Sequence, residues 1–255
     1  MKWFFVLLSL YFISTTACSD DNSTSKNIEQ KNTKATKAKK EDFSKGNLED
    51  VKLEEYFYPT DSLEPYIYAF QEKNNPIDEK LHRHITKEND DGDTVFIIER
   101  YNSNFKIFEG FTLDLNESLK ILDHMMVDKN GIKRSSRLTK DEYFPKNIEE
   151  QSKFIADFPS HLDSIIMVYE SRKHVEKTGV EITVLGEQKE AITIIDSINV
   201  HMVHVANKKR STQKVVSRLY FAKGMGLVSF GDTDGEVTYE LKRIFSNEWW
   251  MNNAI

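Results

Sequence analysis

Cys18, the chain's single cysteine, carries the clearest chemical signature in the sequence. Lys2 and an apolar run from Trp3 to Ile13 precede it, followed by the small residues Ser14, Thr15, Thr16 and Ala17; after it the chain turns polar. A positive start, a short apolar core and small residues before a cut describe a secretory signal, and the run is too short to stay across a bilayer. Other candidates for chemistry are thin. His82 and His84 are two apart, so on a strand their imidazoles share a face and have ligand spacing, but no third ligand is assignable and a solvated strand face is the plainer reading. His201 and His204 are three apart and fall on opposite faces. Asp232-Thr233-Asp234-Gly235-Glu236 and Asp128-Lys129-Asn130-Gly131 hold pieces of a calcium loop, and hairpin turn chemistry explains both. No Gly-x-Ser-x-Gly elbow exists, Ser23 and Lys26 sit in a polar stretch that holds no geometry, and the neighbours Glu54–Glu55 and Asp90–Asp91 point apart on a strand. A carboxylate pair drawn from distant strands stays open. Gly224-Met225-Gly226 lacks the following helix of a phosphate cradle. The expectation is a non-enzyme with no catalytic residue, metal site or cofactor.

The residues around Cys18 resemble the signal of bacterial lipoproteins, in which the cysteine thiol takes a diacylglyceryl group before cleavage in front of it. Ala17 fits that pattern, and Thr15 departs from it, since leucine is usual there. The resemblance implies a signal peptide over 1–17 and an acylated Cys18, palmitate among its chains, as the attachment to the membrane. At about 0.8 kcal/mol per buried CH₂, several acyl chains hold stably where one does not. Ser19-Asp20-Asp21-Asn22 resembles the surface-export signal of lipoproteins in some diderm bacteria. The implied address is the outer membrane, with the cell surface favoured over the periplasmic face.

Composition divides the chain. Residues 18–42, rich in Ser, Thr, Asn and Lys and without aromatics, read as a disordered tether; as a coil of 24 residues from Ser19 it spans roughly 25–30 Å. Removing the 7 basic and 5 acidic residues of 1–42 from the total of 35 and 41 leaves a net charge of −8 on 43–255. An acidic body without a basic stripe argues against nucleic acid. With Cys18 acylated, no thiol remains for a disulfide, so one core must hold a single domain over 43–255.

Within that domain the apolar period is mostly two, the signature of strands. It predicts strands at Val51–Tyr56, Pro65–Phe70, Leu81–Thr86, Thr94–Tyr101, Phe105–Leu115, Leu162–Glu170, Val180–Leu185, Val215–Ala222, Leu227–Phe230 and Val237–Phe245. Ala191–Ala206 suits a bent strand or two strands, and Leu119–Val127 suits a strand or a short helix. Ile148–Phe158, stopped by Pro159, is the one reasonable helix. Many hairpin-linked strands imply a mainly β fold: a strongly curved antiparallel sheet with few short helices.

Arg218 to Val228, an aromatic strand running into Lys223-Gly224-Met225-Gly226-Leu227-Val228, resembles the strand–turn–strand near the end of many exported bacterial lipoproteins, with Tyr239 to Ile244 as the closing strand. Those proteins resemble the LolA/LolB/LppX-like half-barrel, whose concave side takes acyl chains. The resemblance implies a fold more than an activity. Its functional expectation is binding of a lipid or other apolar or amphipathic ligand on a concave face lined by Tyr66, Tyr68 and Phe70; the alternative is a protein-interaction module of the envelope with a filled core. Trp249-Trp250 reads either as a plug for the mouth or as an interface anchor. Asp61-Ser62-Leu63, Asp93-Thr94-Val95, Asp163-Ser164-Ile165 and Asp196-Ser197-Ile198 resemble O-glycosylation acceptors of some diderm bacteria, Ser62 being the best placed.

Overall fold

The computed structural model describes residues 51–116, 119–128, 130–159 and 165–254. Cys18, the signal 1–17, the tether 18–42 and Ser164 of the third acceptor triplet lie outside the described residues. Thirteen strands make one antiparallel sheet: β1 (Tyr66–Glu72), β2 (Glu79–Glu88), β3 (Thr94–Asn102), β4 (Ile107–Asp114), β5 (Lys120–Val127), β6 (Lys133–Ser135), β7 (Arg137–Asp141), β8 (Ser152–Pro159), β9 (Ile165–Val184), β10 (Glu187–His204), β11 (Arg210–Ala222), β12 (Gly226–Asp232) and β13 (Thr238–Ser246). Nearly every strand pairs with its neighbour in sequence. The last then meets the first, with β13 against β1 from Tyr66↔Ser246 to Glu72↔Tyr239. On the far side β6 and β7 are successive pieces of one segment, one paired with β5 and the other with β8. The Ser136 N–H donates to the His124 carbonyl and Lys120 bridges Glu142 across that seam. The curved antiparallel sheet therefore runs past a half-barrel and is nearly closed.

Strand alternation decides what fills it. Cross-strand partners share a face, and the row Tyr68–His82–Arg100–Glu109 continues around β1 to β4 in register. The parallel row Tyr66–His84–Ile98–Phe111–His124 does the same and reaches β5. Phe70, Phe96, Leu113, Phe154 and Ile194 join them inside. Arg83, Glu99, Glu240 and Lys242 stand on the opposite face. An inner face of mostly apolar side chains with a few buried polar ones, under a charged outer face, is the reverse of the pattern of a bilayer-spanning barrel.

One end of this interior is stopped by the chain itself. Leu53–Tyr56 forms a 3-10 turn, and Leu53, Tyr56, Phe57 and Tyr58 are all buried. Val51–Tyr56 was the alternating stretch expected as a strand; Leu53 and Tyr56, three apart, instead eclipse on one side of a tight turn and both enter the core. Phe57 meets Phe96 and Phe144 edge-on, with centroids 5.6 and 5.8 Å away, and Tyr58 lies over His84 at 4.4 Å. The Gly224 N–H donates to the Glu55 carbonyl, and Tyr56 Oη donates to Glu190.

The expected helix at Ile148–Phe158 is absent: its second half is strand β8, with Phe154, Ala156 and Phe158 turned inward at period two. Pro159 ends a strand as readily as a helix. Leu119–Val127 resolves as strand β5. The described part of the strand expected at Leu162–Glu170 and the strand expected at Val180–Leu185, up to Val184, lie in one 20-residue strand, β9. Ala191 to His204 lie in one 18-residue strand, β10, with Val205 and Ala206 in the turn after it. The one α-helix among the described residues, α1 (Asn247–Asn253), starts at Ser246, whose side chain accepts from the Trp249 N–H. Trp250 packs on the outward residues Ile67, Ala69 and Leu81, and Trp249 stacks on Phe245 at 3.7 Å. The tryptophan pair thus covers the outer wall of β1–β2 and plugs no mouth.

Gly226 is where plug and barrel approach most closely. Its φ is +82°, and a Cβ there would lie 2.5 Å from the Tyr58 ring; Gly224, at φ +71°, has open space. Gly224→Ala is expected to lose about 1–2 kcal/mol from the left-handed backbone alone. Gly226→Ala adds overpacking of about 1–3 kcal/mol. Urea unfolding of both variants checks the difference; equal losses would contradict this packing of Tyr58.

Candidate functional site

The interior holds a buried ionic cluster set by strand register. Arg100 on β3 stands opposite Glu109 on β4, and Lys173 on β9 stands opposite Asp196 on β10. Arg100 Nη1 donates to Glu109 Oε2 at 2.7 Å, and His124 Nε2, placed on β5, donates to Oε1 at 3.1 Å. Arg100 Nη2 reaches the Tyr143 hydroxyl at 3.5 Å. Ser171 Oγ donates to Asp196 Oδ1 at 2.6 Å, and Lys173 Nζ donates to the Tyr143 carbonyl at 3.1 Å while lying 3.9 Å from Asp196. Phe111 stacks on His124 with centroids 4.4 Å apart. Two cations and two carboxylates balance in a low dielectric, where unpaired charge is costly.

The pKa directions follow from that balance. Burial alone raises the Glu109 carboxyl, but the Arg100 charge and the His124 hydrogen bond outweigh it and leave about 2. Burial pulls Lys173 down against the attraction of Asp196. Such a cluster holds the barrel's cross-section in one arrangement. Glu109 is 2% exposed and His124 0%, so neither is offered to a substrate.

His82 and His84 do share a face, as their spacing requires, but it is the inner one and not a solvated one. His84 is ringed by Tyr58, Tyr66, Tyr68 and Phe96, and His82 by Phe70 and Phe230. Their ring centroids are 6.4 Å apart. Among the described residues no group of three His, Cys, Asp or Glu side chains is placed to hold a metal ion. None of the four ring nitrogens has a protein hydrogen-bond partner. Burial, with Arg100 nearby, lowers His84 to about 3 and pushes His82 well down.

The proposed ligand row is part of this packing. Tyr68 is 2% exposed and Phe70 0%; Tyr66 is half-buried. Tyr66 Oη donates to the Pro59 carbonyl and Tyr68 Oη to the Met225 carbonyl. Within the row Tyr68 meets the Tyr58 ring, with centroids 6.2 Å apart.

Among the described residues a groove lies outside the barrel. The β9–β10 hairpin forms an arm, tied back to the wall where Glu176 accepts from Arg218 Nε and Nη2 at 2.9 and 3.0 Å. The arm's tip, Ile182 to Gly186, and the outward residues Arg218, Tyr220, Ser229, Glu240 and Lys242 line a groove of about 700 Å³.

Of the acceptor triplets, Asp61-Ser62-Leu63 is fully exposed on irregular chain, and Ser62 Oγ accepts the Glu64 N–H at 3.1 Å. Thr94 opens β3, and Asp196 belongs to the ionic cluster. The cluster itself escaped sequence reading. Its one local signal was charge at positions that strand alternation turns inward, such as Arg100 between Glu99 and Tyr101.

Acid stability tests the interior. Unfolded, His82 and His84 take up protons below their ordinary 6.5, whereas folded they resist until far lower pH. Stability is therefore full above 6.5 and falls on acidification, by up to about 2.7 kcal/mol per pH unit for two histidines. Glu109 adds a second loss between 4.5 and about 2. Replacing both residues (His82→Phe, His84→Phe) is expected to flatten the first limb in urea titrations, whereas Glu109→Ala, which strands Arg100, is expected to lose about 3–5 kcal/mol. An unchanged limb in the histidine variant would contradict their buried neutral state. No family model, no curated protein and no solved structure matches this chain.

Proposed function

We propose that this chain is a lipid-anchored, non-enzymatic module of the outer-membrane envelope that docks another protein. The observation that carries this reading is the packing of the face expected to take an apolar ligand. Tyr68 lies against Tyr58, and Phe70 lies against Tyr68, His82 and Phe230, with Tyr68 and Phe70 both nearly fully buried. The charged side chains inside are paired with each other and buried, which leaves them nothing to offer a substrate. What remains for recognition is outer surface, and among the described residues the groove beneath the arm is a concave part of it.

The ligand-binding reading keeps one foothold. A lipid that takes the place of Tyr58 against Tyr68 needs Leu53 to Tyr58 to withdraw, and that withdrawal exposes four buried side chains. Placement at the membrane rests on Cys18 and its signal, with the surface favoured by Asp20 and Asp21. The exposure of Ser62 supports a glycan there, which also fits an outward-facing body.

Two measurements test the proposal. Cys18→Ala is expected to move the protein from the membrane fraction to the soluble one; continued membrane association after signal removal would contradict the anchor. Native mass spectrometry of the protein gently extracted from its membrane is expected to show a stoichiometric protein complex and no bound lipid beyond the acyl chains. A lipid adduct that survives desolvation, with no protein partner, would favour the ligand reading instead.

A further inference from the structure

We propose that the partner contributes an extended segment that adds as a strand to the outer edge of β9 at Val180–Val184, lying in the groove beneath the arm. This rests on the docking reading above and names its site.

Strand β9 pairs with β8 only as far as Ser152↔Lys173, and beyond that point β10 is its one neighbouring strand among the described residues. An unpaired edge invites pairing, and the first half of this one is blunted. The register with β10 shifts at Ala191/Thr193 and again at Thr193/Ile194, which places extra residues in β9 between Val175 and Val180, and Gly179 there has φ +65°. From Val180 the ladder is regular to its end, Val180↔Ala191 through Val184↔Glu187, and the sequence Val-Glu-Ile-Thr-Val is mostly β-branched.

The turn tells which groups are free. Leu185 and Gly186 have φ +51° and +88°, the two positive values of a type I′ hairpin. Val184 and Glu187, flanking a two-residue turn, form a hydrogen-bonded pair, and so by alternation do Ile182↔Lys189 and Val180↔Ala191. Glu181 and Thr183 occupy the intervening non-bonded pairs, so their N–H and C=O groups point away from β10. The short contact from Gln188 Nε2 to Thr183 Oγ1, 2.9 Å, is the side-chain approach such a pair permits. The groove is lined by Ile182 to Gly186 and by no residue of β10, so this free edge borders it. Donor–acceptor sets two residues, about 6.8 Å, apart match the repeat of another strand. The outward row Tyr220–Ser229–Glu240 lies alongside to meet the occupant's alternate side chains.

The test uses the full-length protein in detergent, a fluorescent hexapeptide of alternating valine and threonine, and the same peptide N-methylated at alternate amides. Thr183→Pro removes an edge N–H that β10 does not use, so the arm keeps its ladder; Thr183→Val keeps that N–H. Anisotropy is expected to show binding of the plain peptide to wild type and Thr183→Val about equally. It is expected to show at least about tenfold weaker binding to Thr183→Pro at unchanged thermal stability, and none of the methylated peptide. Binding indifferent to Thr183→Pro or to methylation, or no binding of either peptide, overturns the proposal. So does a dimer in sedimentation that Thr183→Pro abolishes, since the occupant is then a second copy. An envelope-protein complex that persists in Thr183→Pro overturns this site while leaving the docking reading intact; absence of any complex removes the docking reading itself.

Discussion

The nearly closed barrel depends on Leu53 to Tyr58 packing into its interior. A sheet of this many strands encloses more space than its inward side chains fill by themselves, and Leu53, Tyr56, Phe57 and Tyr58 supply the missing volume. The fit depends on Gly226, whose missing Cβ leaves room for the Tyr58 ring, and on His84, over which that ring lies. With the stop in place, the sheet's two ends meet with both faces satisfied, inner against aromatic packing and outer against water.

Around that stop the interior is unusually polar. Arg100 and Glu109 pair because β3 and β4 bring them opposite each other, and Lys173 and Asp196 pair through the register of β9 and β10. A one-residue slip of either strand pair would turn these charges onto the wrong faces. The cluster therefore penalises alternative registers in a long meander of similar strands. His82 and His84 sit beside it, packed among aromatic rings and without hydrogen-bond partners. Outside stands an arm bent by its bulges over the wall, and among the described residues β10 is the one strand neighbouring its last five β9 residues.

Much of the fold was legible because period-two patterning is local. Tyr66-Ile67-Tyr68-Ala69-Phe70 shows two faces directly, and the structure uses both, Tyr68 and Phe70 inside and Ile67 and Ala69 under Trp250. Ile148–Phe158 misled because its apolar spacing also suits a helix turn and Pro159 stops either element. Residues 171–179 hid the continuity of β9, since their charged side chains and Gly179 read as a break while the backbone runs on through bulges. Closure was not legible at all: the pairing of Tyr66 with Ser246 spans nearly the whole domain, and no local pattern encodes it. For the same reason the expected hollow face could not be told from a filled one. Its occupant, Tyr58, is a near neighbour in sequence whose stretch alternates like a strand.

The seating of Tyr58 inside the barrel is the claim on which the rest depends, and nuclear Overhauser contacts from the Tyr58 ring measure it directly. In the full-length protein these are expected to reach the Gly226 α-protons and the His84 ring, and to persist when phospholipid is added. Absence of both contacts, or their loss on lipid addition, would mean a barrel that opens to take cargo.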